Sequence, residues 1–193
     1  MFPLSITKKE VMDFPLRHYP GKIVVAASEE QIQRAIQEIN NSTVVGFDTE
    51  AKPTFVKGQI RNIGLIQVAT DHKVFLLRIH KVGVLDCIHE LLENENILKV
   101  GIGLKDDYNL LDRLRPLTPQ GFLDLNDTMT ELGAESIGAR NLAAMILEIR
   151  ISKSAQTSNW ELEELTQKQL HYAATDAWIC LEIYKKLEGW GYI

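Results

Sequence analysis

The feature that most constrains this chain is a succession of three apolar, β-branched runs: Thr43 to Phe47, Ile63 to Ala69 and Val74 to Leu77. Each reads as a strand, and Asp71-His72 between the second and third marks a turn, so the three form an antiparallel meander. The pattern then changes. Leu85, Ile88, Leu91 and Leu92 recur at helical spacing, Ile97 to Val100 gives a fourth strand, Leu104, Tyr108 and Leu111 return to helical spacing, and Gly121 to Leu125 gives a fifth. Three strands in series followed by alternating helix and strand specify an α/β fold with a mixed five-stranded sheet flanked by helices.

Ahead of the meander, Lys22 to Ala26 reads as a short strand, and Ser28 with Gln31 forms a capping box opening a helix that runs through Ile39. Beyond Leu125 everything is helical: Thr128 to Leu132, Asn141 to Ile149, and a long segment from about Thr166 to Leu187. Residues 1 to 21 carry Pro3, Pro15 and Pro20 with little periodicity and are expected to be an arm lying against one domain of residues 22 to 193. At 193 residues and 45% apolar, the chain buries a core without staples. Cys87 and Cys180 lie far apart with no metal-ligand spacing, which fits a reducing, cytoplasmic setting. No run approaches the roughly 20 apolar residues of a membrane span, and no targeting signal is read at the N-terminus.

Three acidic motifs fall at the ends of these elements. Asp48-Thr49-Glu50 directly follows the strand Val44 to Phe47, and residues two apart on an extended chain point the same way. Asp107 lies in the first turn of the helix after Val100, where Gly101 and Gly103 let another segment approach closely. Tyr172 and Asp176 are four apart on the last helix and share a face, with small Ala173 and Ala174 between them. Singly, each pattern is commonplace: a solvated turn, first-turn acids favoured by the helix dipole, an aromatic and an acid on a helix. Together they supply four hard oxygen ligands from separate elements. Two divalent ions roughly 3.5–4 Å apart, which activate a water and neutralise a leaving oxygen in phosphodiester hydrolysis, need such a set.

With these motifs in place the chain resembles the DEDDy branch of the 3′→5′ exonucleases, the group of ribonuclease D and the Werner-type exonuclease domains. Gly46 to Glu50 with Ile63 to Gln67 echo its first motif, Gly101 to Asp107 with Leu110-Leu111 its second, and Tyr172 to Ala177 its third, with Ser158-Asn159-Trp160 shortly before. The resemblance implies a ribonuclease H-like fold and hydrolysis from single-stranded 3′ ends of DNA or RNA, releasing nucleoside 5′-monophosphates. It further implies two Mg²⁺ or Mn²⁺ ions held by Asp48, Glu50, Asp107 and Asp176, and a water oriented by Tyr172. Gly103 stands where some proofreading members carry Asn, so one amide contact to substrate is expected to be missing. A sister branch uses His five residues before the last Asp, and His171 occupies that place. At about 100° per residue, Tyr172 lies roughly 40° from Asp176 around the helix and His171 about 140°, which favours Tyr172 and makes His171 structural.

Substrate contacts are expected from Lys52, Lys57 and Arg61, with Phe55 to stack a base, and from Arg150 and Lys153; each is equally consistent with a solvated loop. By the resemblance, Leu65 and Gln67 flank the terminal nucleotide, although strand packing also accounts for them. The net charge of −5 is unusual for a protein that binds phosphates. It is tempered if the acids gather around cations, and it leaves room for a protein partner that supplies targeting. The competing readings are a non-catalytic nucleic-acid-binding module and an accessory subunit with a ribonuclease H-like fold.

Overall fold

A computed structural model of the chain describes residues 2–53 and 62–193. Six strands form one mixed sheet: β1 (Lys22–Ala26), β2 (Val44–Ala51), β3 (Ile63–Ala69), β4 (Lys73–Leu77), β5 (Leu98–Gly101) and β6 (Phe122–Asp124), in the order β1-β4-β3-β2-β5-β6. The meander β2-β3-β4 is antiparallel, and β5 and β6 add in parallel beside β2. The sheet has six strands rather than the expected five because the short strand Lys22–Ala26 is not isolated. It pairs in parallel with β4 along its whole length, Lys22 opposite Lys73 and Ala26 opposite Leu77.

The helices are α1 (Lys8–Asp13), α2 (Glu29–Ile39), α3 (Ile79–Val82), α4 (Asp86–Glu93), α5 (Lys105–Leu114), α6 (Leu125–Glu131), α7 (Ala139–Leu147) and α8 (Gln167–Gly189). Local capping chemistry starts three of them. Thr7 with Glu10, Ser28 with Gln31 and Thr166 with Gln169 each form a reciprocal capping box at α1, α2 and α8. Helix α1 lies inside the segment read as an irregular arm; at six residues it is too short for periodicity to reveal. Helix α6 begins at Leu125, not Thr128, because the Asp124 side chain accepts from Asn126 N and caps it. None of the described helices is long and apolar enough to cross a membrane.

The sheet is buried on both faces, as the continuous apolar strands require. On one face Val45 and Phe47 of β2, Phe75 and Leu77 of β4 pack with α2, α4 and α5. On the other, Leu65, Val74 and Leu76 meet Ala173, Ala174 and Ala177 of α8, and α6 and α7 continue that layer. Helix α8 crosses β2 closely at Gly46, where a Cβ would stand 2.0 Å from the carbonyl oxygen of Ala177. No side chain fits there, and the helix face over the sheet is built on Ala173, Ala174 and Ala177 with Leu181 a turn further on. This contact sets the height of α8 over the strand that carries Asp48 and Glu50.

Substituting Gly46→Ala should therefore force α8 away from the sheet. The expected cost is at least the 1–3 kcal/mol typical of overpacking, as an order of magnitude, read as a lowered urea midpoint with loss of any metal-induced stabilisation. An unchanged midpoint would show that α8 is free to shift.

Candidate metal centre

Alternation along β2 sends Gly46, Asp48 and Glu50 toward α8, and the close crossing at Gly46 brings Asp176 of α8 down beside the two acids. One carboxylate oxygen from each of Asp48, Glu50 and Asp176 lies within 4.8 Å of the others. Asp107 is outside that triad but lines the same cleft, of ≈ 340 Å³. Its carboxylate accepts a hydrogen bond from the hydroxyl of Thr49, the residue between the two β2 acids, which points to the other side of the strand.

Such crowding is electrostatically costly without a cation. Burial, then Asp176, Glu50 and Asp107, holds the Asp48 carboxyl well above the usual carboxylate range. Burial pushes Asp176 up to about 7, opposed by a hydrogen bond from the Tyr172 phenol and by the charge of Lys153. Burial likewise pushes Asp107 up to about 6, opposed by the Thr49 hydroxyl. Three partly buried carboxyls that resist ionisation, with oxygen donors facing one another, suit a hard divalent ion such as Mg²⁺ or Mn²⁺.

Tyr172 lines the cleft one turn before Asp176, its ring tilted against buried Trp160 at 5.9 Å between centroids. Trp160 belongs to the segment Ser158 to Trp160, which Gln169 ties to α8 by donating from Nε2 to Asn159 O at 3.0 Å. His171 is turned away from the cleft, its ring 4.5 Å from that of His18 in the N-terminal segment.

A residue that sequence reading missed holds Asp107 in place. Helix α5 has no side-chain cap of its own. Asp124, at the end of β6, accepts from Gly103 N at 2.9 Å and Leu104 N at 2.7 Å, and also caps α6. Gly103, at φ 77°, makes the turn that presents these N–H groups. The available signal was an acid between a strand and a helix, the usual place of an N-cap.

The expected substrate contacts fare differently. Lys52 is exposed and bound to Glu161 at 2.9 Å. Lys57, Arg61 and Phe55 lie outside the described residues. Leu65 and Gln67 do not border the cleft: on the central strand β3 their side chains are wholly buried beneath α8, so neither is placed to flank a nucleotide. Arg150 is joined to the N-terminal segment, its backbone bonded to Pro15 and Arg17, whereas Lys153 does line the cleft. Arg140, also on the cleft wall, was not anticipated.

Residues 23–189 match the family model described as 3′-5′ exonuclease. The chain is 31% identical over 199 residues to the mouse bifunctional 3′-5′ exonuclease/ATP-dependent helicase WRN, aligning 97% of its own length but only 14% of that protein. It is 27% identical to an Arabidopsis thaliana 3′-5′ exonuclease, across 97% of this chain and 70% of the relative. In fold it is similar to the Aedes aegypti Nibbler EXO domain, with a TM-score of 0.80 at 23% identity over 90% of this chain and 91% of that one. It is also similar to Escherichia coli RNase D, with a TM-score of 0.77 at 18% identity over 91% of this chain and 47% of that one. These likenesses agree with a ribonuclease H-like α/β fold.

The raised carboxyls fix the sign of a pH effect. In metal-free protein Asp176 moves from 3.8 to about 7 and Asp107 from 3.8 to about 6, so the folded chain holds protons that the unfolded chain has lost. Their contribution is fully present below about pH 4 and is lost progressively as pH rises from there to the folded values of about 6 and about 7. Melting temperature of the metal-free chain should carry this falling component over that window, and Mg²⁺ or Mn²⁺ should offset it at neutral pH. Asp48→Ala should remove most of the metal effect; equal metal-induced shifts in variant and parent would count against the site.

Proposed function

The chain belongs to the 3′-5′ exonuclease family, and we propose that it hydrolyses phosphodiester bonds one nucleotide at a time from single-stranded 3′ ends of nucleic acid. The observation that carries this reading is the convergence of Asp48, Glu50 and Asp176 within 4.8 Å, with Asp107 lining the same cleft.

Asp48, Glu50 and Asp176 would hold one Mg²⁺ or Mn²⁺ ion, and Asp107 with Asp48 a second. Bound there, such ions supply an activated water and charge neutralisation at the departing 3′ oxygen. The residues do the positioning. Burial and the nearby carboxylates hold the Tyr172 phenol far above its ordinary range, so it stays protonated at neutral pH. It is thus a hydrogen-bond donor and not a base, and it serves to orient the attacking water beside Asp176. Asp124 fixes the start of α5 and with it Asp107.

Two measurements test this. Tyr172→Phe should lower turnover by on the order of 10²-fold, the cost of a misplaced reacting group, with metal binding nearly intact, while His171→Ala should change little. The reverse pattern would mean that the wrong residue has been assigned. End-labelled linear single strands should release nucleoside 5′-monophosphates and single-stranded circles should persist. Blunt duplexes should react more slowly, since opening one base-pair step costs about 1.4 kcal/mol. Cleavage of circles would identify an endonuclease.

A further inference from the structure

Among the described residues, the cations that line the cleft are Arg140 and Lys153, and Lys52 is not one of them. Arg140 and Lys153 line the carboxylate cleft and also an adjoining groove of ≈ 210 Å³, walled by Lys8 and Val11 of α1 and by the start of α7. The two share Gly138, Ala139, Arg140 and Lys153 and so lie side by side. Among the described residues, no acidic side chain lines the adjoining groove. Lys52 is neutralised by Glu161; among the described residues, the side chains of Lys8 and Arg140 have no hydrogen-bond or ion-pair partner, and Lys153 acts on Asp176 through its charge. Arg140 Nε is buried with nothing to accept its proton, a costly arrangement that an incoming anion would relieve. Helix α7 starts at Gly138 without a side-chain cap, so its positive end adds to the same field.

Resting on the exonuclease reading above, we propose that the strand undergoing trimming leaves the carboxylate cleft through this groove, its backbone phosphates held by Arg140 and Lys8, with Lys153 at the junction. The N-terminal segment thereby becomes part of the substrate site, although it precedes the span 23–189 matched by the family model. It is anchored well enough for this role. Val11 is 2% exposed, and Arg17 N donates to Arg150 O at 2.8 Å while Arg150 N donates to Pro15 O at 2.9 Å. Phosphate contacts fix a strand's path and raise affinity without reading its sequence. The basic groove also accommodates the overall charge of −5, since the strand meets a local field there and not the net one.

The test is salt-dependent binding of a fluorescent single-stranded oligo(dT) whose terminal phosphorothioate linkages slow trimming, followed by anisotropy in Mg²⁺ buffer, with trimming of the unmodified oligonucleotide measured in parallel. Each phosphate contact removed should lower the slope of log K against log[salt] by about 0.7. Lys8→Ala and Arg140→Ala should each do so, Lys8→Glu should weaken binding further than Lys8→Ala, and Lys9→Ala, on the same helix but off the groove, should not. A parent that binds and trims, with slopes unaltered in the Lys8 and Arg140 variants, overturns the groove and leaves the exonuclease reading standing. A parent that binds with the expected slope changes but never trims supports the groove and removes the nuclease reading; a parent that does not bind overturns both.

Discussion

Everything at the carboxylate cleft depends on how closely α8 lies against β2, and that distance is set where Gly46 meets the backbone of Ala177. With any side chain at Gly46 the helix would ride higher, and Asp176 would no longer share a coordination volume with Asp48 and Glu50. Ala173, Ala174 and Ala177 are fully buried along the same contact. The packing is a matter of small groups and short distances, where an added methyl is not absorbed by relaxation because the atom it meets is backbone.

The same closeness makes the site expensive. Four carboxyls converge on one cleft, and burial adds to their mutual repulsion. A chain selected only for stability would not bury this set without a counterion. The surroundings moderate the cost without removing it: Thr49 donates to Asp107, Tyr172 to Asp176, and Lys153 contributes its field. Rigid supports hold the geometry in place. Asp124 fixes the first turn of α5, and Trp160 backs the Tyr172 ring. Functional sites characteristically break local rules of stability and are stabilised from elsewhere in the fold.

Much of this arrangement was legible in the chain. The apolar runs gave the meander because strands covered on both faces must be continuously apolar, and the Ser28 capping box placed the start of α2 to the residue. That Asp48 and Glu50 share a face follows from the two-residue repeat of a strand, and that Tyr172 and Asp176 do so from the helical repeat. These statements are internal to single elements. The resemblance to the exonucleases rested on the same motifs and added the expectation that they meet.

What the sequence determined by itself was therefore the identity of the elements and the direction in which each presents its acids. Only the tertiary structure decided the rest. It enlisted Lys22–Ala26 as a sixth strand, buried Leu65 and Gln67 under α8, paired Lys52 with Glu161, and turned Arg140 and Lys153 to the cleft. The physical reason is one of range. Periodicity fixes orientation about a strand or helix axis, but the distance between two elements, and which cations find partners, depend on packing between residues far apart in sequence.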